Sequence, residues 1–364
     1  VRFVDPFRDP RGAQALAAEV RRRADPGRKY RLMEFCGGHT HTLCRYSIPG
    51  LLPENIELIH GPGCPVCVLP ISRIDQALSL VERPEVTLCT YGDMMRVPGR
   101  QGRSLQGARA AGADVRMVYS PSDALALAAA RPDRQVVFFA VGFETTTPPT
   151  AVVLQAARAA GLPNFSVLCN HVLTPPAIHA VLSAGAALDG IIGPGHVATI
   201  VGTAPFTPFA RDHRLPIAIA GFEPLDLLQA IALLIAQVNE GRAEVENQYT
   251  RSVRPAGNPV AQAAIAAVMQ VRPRFALRGL GLLAGGGLEL RPEWAEWDAE
   301  RRFDLDEVLV ADHPACICGE ILRGAKRPSD CRVFGGACTP DSPLGACMVS
   351  SEGACAAWYQ YGAQ

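Results

Sequence analysis

This sequence predicts an α/β protein with two parallel sheets and a smaller cysteine-rich third region, and three observations predict it. Eight short apolar runs each end in a Gly-rich or polar turn and are followed by helical sequence. Strands that alternate with helices imply parallel sheets with helix-covered faces, and eight units suit two small sheets better than one. From about Tyr249 the texture changes to Pro- and Gly-rich sequence, and six of the twelve cysteines fall between Cys316 and Cys355.

A first helix is expected over about Arg11 to Arg23, its RRR at 21–23 reading as a solvated face. The strands follow as RLMEF (31–35), IELIH (56–60), VTLCT (86–90), VRMVY (115–119), VVFFAV (136–141), FSVLC (165–169), DGIIG (189–193) and IAIAG (217–221). Helices are expected over Ala151 to Ala160, Leu225 to Asn239 and Pro259 to Gln270, and GLGLLAGGG (279–287) reads as a strand and turn. GPGC (61–64) is echoed by GPGH (193–196), and GFE (142–144) by GFE (221–223), which raises a duplication of one α/β unit. The expected organisation is an N-terminal helix over 1–30 packing on the third domain, α/β domains over 31–133 and 134–248, and a third domain over 249–364.

Charge and hydropathy exclude several classes. Lys plus Arg and Asp plus Glu are 35 each, so the net charge is zero and a general nucleic-acid or membrane-surface binder is disfavoured. Arg2, Asp5, Arg8 and Asp9 interrupt the N-terminus as a signal peptide would not allow. The longest apolar stretch, Leu225 to Val238, is too short and too polar to span a bilayer. The expectation is a cytoplasmic protein, where cysteines serve as metal ligands or catalytic thiols rather than structural disulfides. Neither GxGxxG nor GxxxxGK[ST] occurs, which argues against a dinucleotide or P-loop site.

Ligands of open parallel sheets gather beyond the carboxyl ends of the strands. The polar motifs fall there: CGGHTH (36–41), GPGCPVC (61–67), YGDMMR (91–96), GFETTTP (142–148), CNH (169–171) and GPGH (193–196). If the sheets face one another, these loops converge on one cleft. Cys64 and Cys67 form a CxxC that allows a disulfide, a grip on one metal, or half of a zinc site completed by Cys36. His39, three residues after Cys36, is placed to donate a hydrogen bond, move a proton or bind metal. Asp93, Glu144, Asn170, His171 and His196 each read first as satisfied polar groups at strand ends, and Cys44, Cys89 and Cys169 as small buried hydrophobes.

The tail spacing is C-x-C-x12-C-x6-C-x8-C-x7-C. It contains neither CxxxCxxC nor the ferredoxin CxxCxxC, and no CxxC pair of a zinc ribbon. Four thiolates satisfy a [4Fe-4S] cube, and the two left over suit a redox-active pair.

Taken together, FCGGHTH, GPGCPVCV, TYGDMMRVPG, GFETTTP, CNH, GPGHV and the tail from CICGE through PSDCRVFGGACTPDSPLGACMVSSEGACAAWY resemble the HypD family of [NiFe]-hydrogenase maturation proteins over nearly the whole chain. The resemblance implies two similar α/β domains and a third domain with a [4Fe-4S] cluster held by Cys316, Cys331, Cys338 and Cys355. It implies a spare pair, Cys318 and Cys347, and an iron-handling cleft of Cys36, Cys64 and Cys67 with His39 beside it. It also implies assembly of an iron carrying cyanide and carbonyl, Fe(CN)2CO, in complex with the chaperone HypC and the cyanide donor HypE, for the hydrogenase large subunit. Two other readings stay open: a cluster-dependent thiol-disulfide oxidoreductase acting on protein disulfides, and a structural zinc protein.

Overall fold

The computed structural model describes residues 4–306, 308 and 310–362. Eleven strands are present among them: β1 (Tyr30–Glu34), β2 (Ile56–His60), β3 (Val86–Thr90), β4 (Val115–Met117), β5 (Gln135–Gly142), β6 (Phe165–His171), β7 (Gly190–Pro194), β8 (Ile217–Ala220), β9 (Val245–Asn247), β10 (Met269–Leu277) and β11 (Gly281–Leu290). The first sheet runs β2-β1-β7-β8-β9 and the second β4-β3-β5-β6, with every neighbouring pair parallel. Strands β10 and β11 pair antiparallel, with a bulge between Arg272 and Arg274. The expected fold class, two parallel α/β sheets and a cysteine-rich C-terminal region, is the one observed.

All eight expected strands form. Both β6 and β8 are buried at every position, as strands covered on both faces require. Local signals set the helices between them. Asp9 accepts from the amides of Arg11 and Gly12 to start helix Pro10–Arg23. Ser120 and Asp123 form a capping box on Pro121–Ala130, and Gly241, at φ 68°, ends Pro224–Glu240 in the left-handed conformation. The helix expected to reach Gln270 spans Pro259–Val268, because β10 begins at Met269.

The sheets are not contiguous in sequence. Strands β1 and β2 join β7, β8 and β9, while the chain between them builds the whole second sheet. The boundary expected at 133/134 therefore falls between β4 and β5, two strands of one sheet. Both GPG loops belong to the first sheet, following β2 and β7. Apolar runs reveal where strands are but not which ones pair.

The N-terminal helix also packs elsewhere than expected. Val20 lies in a core with Leu227 and Ile231, on helix Pro224–Glu240 of the first sheet, not on the third domain. Residues beyond 249 divide too. Leu288, Leu290, Trp294 and Trp297 cover the second sheet beside Val167 and Cys169. The cysteine-rich segment joins the core that links both sheets, so that Cys318 and Cys347 belong to the same buried cluster as Met33, Cys67 and Phe139.

Candidate functional site: a thiol-lined cleft between the sheets

Cys36 follows β1 and starts helix Gly37–Arg45. Its amide donates to the Glu34 carboxylate at 2.9 Å, and that carboxylate also accepts from the Thr40 hydroxyl and meets His60 Nδ1 at 3.0 Å. Glu34 is 1% exposed, so these donors replace the water it lost. The loop after β2 lies directly against Cys36: Gly37 N donates to Gly63 O at 3.1 Å. A Cβ on Gly63 would stand 2.3 Å from Cys36 N and 2.5 Å from its Cα, so only glycine permits this approach. One residue later Cys64 caps the short helix Pro65–Val68, its Sγ accepting from Cys67 N at 3.3 Å.

The imidazole facing the Cys36 thiol is not the one the sequence singles out. His196 Nδ1 lies 3.8 Å from Cys36 Sγ. His39 is in the same cluster, but its Nε2 meets Ala220 O at 3.1 Å, at the end of β8. Phe222 stacks on both rings, with centroids 3.6 Å from His196 and 4.8 Å from His39. Burial pushes His196 down to about 4 and lowers His39, so both are neutral at physiological pH. Burial raises the Cys36 thiol, and the nearby Glu352 and Glu34 carboxylates raise it further. A metal that takes this sulfur must displace its proton.

From the CPVC loop a chain of thiols leads into the tail. Cys67 interacts with Cys64 on one side, its amide donating to Cys64 Sγ at 3.3 Å, and with Cys347 on the other. Cys347 contacts Cys318 and Cys355, and Cys318 contacts Cys316. Burial holds Cys67 well above the ordinary thiol range. All twelve cysteines are free thiols, and Cys44, Cys89 and Cys169 are buried as expected of small hydrophobes.

The six tail cysteines, Cys316, Cys318, Cys331, Cys338, Cys347 and Cys355, line one small, tightly packed cavity together with Ile321, Val333, Phe334 and Met348. A Cβ on Gly345 would stand 2.5 Å from Cys316 Sγ, so the glycine leaves this sulfur room. Soft donors inside an apolar wall fit an iron–sulfur cube. Among the described residues no three His, Cys, Asp or Glu side chains converge as ligands of one ion do. A cube does not ask for that convergence, since each thiolate takes a different iron.

The expected meeting of loops is thus met by part of the set. The loops after β1, β2, β7 and β8 converge on Cys36. The loop after β3 reaches the tail, where Arg96 donates to Pro340 O at 3.1 Å and Val349 O at 2.8 Å. The motifs ending β5 and β6 are engaged with structure. Asn170 accepts from Arg73, and His171 Nε2 meets the Thr150 hydroxyl at 3.0 Å. Glu144 accepts from the amide and the hydroxyl of Thr174, each at 2.9 Å.

Glu144 carries a testable consequence. Burial pushes its carboxyl from an ordinary 4.5 up to about 7. Below the unfolded value both states are protonated, and between 4.5 and 7 only the unfolded chain ionises. Stability therefore falls across that window, by on the order of 3 kcal/mol. Glu144→Gln should remove this slope and raise Tm at pH 8. Thermal melts from pH 4.5 to 8 that keep the wild-type slope in the variant would refute the burial argument.

Sequence reasoning missed Glu34 and Glu352. A Glu inside the apolar run RLMEF was the available sign for the first. Nothing marked Glu352, which reaches the cleft from the tail, where its β-carbon would lie 2.5 Å from a Cβ on Gly37.

A family model described as "HypD: Hydrogenase formation hypA family" matches residues 11–362. The chain belongs to the HypD family. It is 59% identical over 370 residues to the hydrogenase maturation factor HypD of Azotobacter vinelandii, covering 100% of this chain and 98% of that one. It is 58% identical to the hydrogenase expression/formation protein HupD of Azotobacter chroococcum mcd 1, with the same coverage. The HypD of Escherichia coli (strain K12) is 48% identical over 367 residues, 99% of this chain and 98% of that one. This HypD-family chain is accordingly a hydrogenase maturation factor. Among its described residues no helix is long and apolar enough to cross a membrane.

Proposed function

We propose that this maturation factor is the scaffold on which Fe(CN)2CO is assembled, acting with HypC and HypE before transfer to the hydrogenase large subunit. The observation that carries the reading is contiguity. Cys36 and the CPVC loop lie back to back, and Cys67 touches Cys347 of the tail.

Cys36, with one thiol from HypC, clamps the iron substrate. Iron bearing cyanide and carbonyl is low-spin Fe(II), and thiolates suit such a soft centre. Cys64 and Cys67 alternate between dithiol and disulfide beside it, with His39 and His196 packed at its rim. Cys316, Cys331, Cys338 and Cys355 hold a [4Fe-4S] cluster, which supplies one-electron storage when bound. Cys318 and Cys347 link the two sites. A Cys64–Cys67 disulfide exchanges with the Cys318–Cys347 dithiol, one S–S bond breaking as another forms, with no net change in electrons. Reducing the resulting tail disulfide consumes two electrons and two protons.

Burial weighs against the reading as an oxidoreductase of protein disulfides. Cys64 and Cys67 are 3% and 1% exposed, so a disulfide on another protein does not reach them in this conformation.

Infrared spectroscopy of the chain co-purified anaerobically with HypC tests the clamp. Cyanide and carbonyl bands should appear in the wild type and vanish in Cys36→Ala, while the visible absorbance of the tail cluster stays. Undiminished bands in the variant would refute the assignment.

A further inference from the structure

Electrons for this relay must enter from outside, and the tail offers one place for them. Cys316 and Cys331 are the two tail cysteines that are partly exposed, whereas Cys318, Cys338, Cys347 and Cys355 are buried. The segment around Cys331 reads LRGAKRPSDCRVF, with Arg323, Lys326, Arg327 and Arg332 against a single acid, Asp330. That is a local charge of +3 on a chain whose net charge is zero.

The fold keeps these cations at the surface. Lys326, Arg327 and Arg332 are exposed. The turn Pro328–Asp330 is closed by Asp330, whose carboxylate accepts from Arg327 N at 2.8 Å, and by Cys331 N donating to Pro328 O at 3.1 Å. Arg332 follows Cys331 directly in the chain, and Arg327 opens the turn that leads into it. Arg327 is partly neutralised by Glu57 at 2.7 Å, and Arg323 donates to Gly279 O. Lys326 and Arg332 have no acidic partner within 4 Å among the described residues. Beside them Phe334, which lines the thiol cavity, meets Tyr359 edge-on at 6.4 Å, and Tyr359 is 46% exposed.

We infer that this face docks an acidic one-electron carrier protein, which delivers electrons through the Cys331 side of the tail; the redox half of this inference rests on the function proposed above. Two exposed cations without an acidic partner among the described residues, close in sequence to a partly exposed sulfur and beside an exposed aromatic ring, make a small charged patch at the tail cysteines. Electron-transfer encounters are small and transient, and complementary charge sets their on-rate more than their affinity. Two carriers, each giving up one electron, supply with two protons from solvent what converts one disulfide to two thiols, so the step balances.

The test uses the full chain, reconstituted anaerobically, with a reduced acidic plant-type ferredoxin as probe. Stopped-flow reduction and calorimetric binding are compared for wild type and a Lys326→Glu/Arg332→Glu variant at low and physiological ionic strength. The wild-type second-order rate should fall with added salt, and the variant should be slower at low salt by about tenfold or more with a flattened salt dependence. Iron and sulfide content should be equal in the two proteins. Equal rates and equal salt dependence would overturn the docking face. So would a short DNA duplex displacing the ferredoxin at matched charge concentration, which would mark a general polyanion surface. If the chain carries no iron, the function above fails while calorimetric binding, with its loss in the variant, still decides the docking claim.

Discussion

Cys347→Ser is expected to cut the chain in two electrically while leaving both ends loaded. The variant should keep its full iron and sulfide content, because the proposed cluster ligands are other residues. Its Cys64–Cys67 disulfide should no longer be reduced by a one-electron donor, a loss of about two orders of magnitude or more in rate, since the serine hydroxyl cannot exchange with a disulfide. Cys347 is 1% exposed and touches Cys67, Cys318 and Cys355 together. Its interaction with Cys67 on one side and with Cys318 on the other makes it the link between the cleft pair and the tail. Anaerobic thiol alkylation with mass spectrometry, before and after reduction, reads the state of Cys64 and Cys67. A reduced CPVC pair in the variant at the wild-type rate would show that electrons reach the cleft by another path.

The second large effect concerns stability. Arg73, fully buried on helix Ile71–Val81, donates to Asn170, to Cys169 O at 3.0 Å and to Glu300 at 2.6 Å. Glu300 also accepts from Arg272 at 2.5 and 3.1 Å. Glu300→Ala leaves the fully buried Arg73 guanidinium without its carboxylate and leaves Arg272 only a 3.8 Å contact to Glu289, and should cost about 3–5 kcal/mol. A Glu300→Leu/Arg73→Met double variant, which removes the buried charge as well, should recover part of it. Despite burial, which alone would raise it, the flanking arginines pull Glu300 from 4.5 down to about 2. Its folded value is depressed, so its contribution is present above pH 4.5 and is lost as pH falls from there toward 2. Urea titrations at pH 7 and pH 3 check both statements: the gap between wild type and Glu300→Ala should narrow at the lower pH. A gap that stays constant would mean the carboxylate charge is not what stabilises this junction.

Much of the fold was legible because burial imposes composition. A strand covered on both faces must be an apolar run, and VTLCT (86–90), buried at every position, forms a strand over the same residues the sequence marked, as does the partly buried edge strand IELIH (56–60). Strand β9, Val-Glu-Asn at 245–247, is only half-buried at each position and has no such signature. Strand β10 carries Arg272, Pro273 and Arg274 in its middle, which a bulge accommodates and a sequence pattern does not announce. The cysteines were legible as a group because thiols on strand-end loops have few structural uses. Their neighbours were not. Cys36 and His196 are separated by 160 positions. Their approach depends on β1 pairing with β7, a long-range choice that no local pattern encodes.

That same choice constrains how the molecule comes into being. Strand β1 has one partner at residues 56–60 and the other at 190–194, so it sits half-matched while more than a hundred residues of intervening chain complete a separate sheet. During synthesis from the N-terminus the inner lobe closes first, and the outer one waits with an open edge until β7 emerges. The finished lobes are then stitched by covalent crossings at 61–85 and 172–189 and again after β9, where the chain leaves the first sheet to cover the second. Each crossing contributes residues to the core that holds the buried sulfurs, so the seam that holds the thiols is also the seam that joins the two halves of the chain.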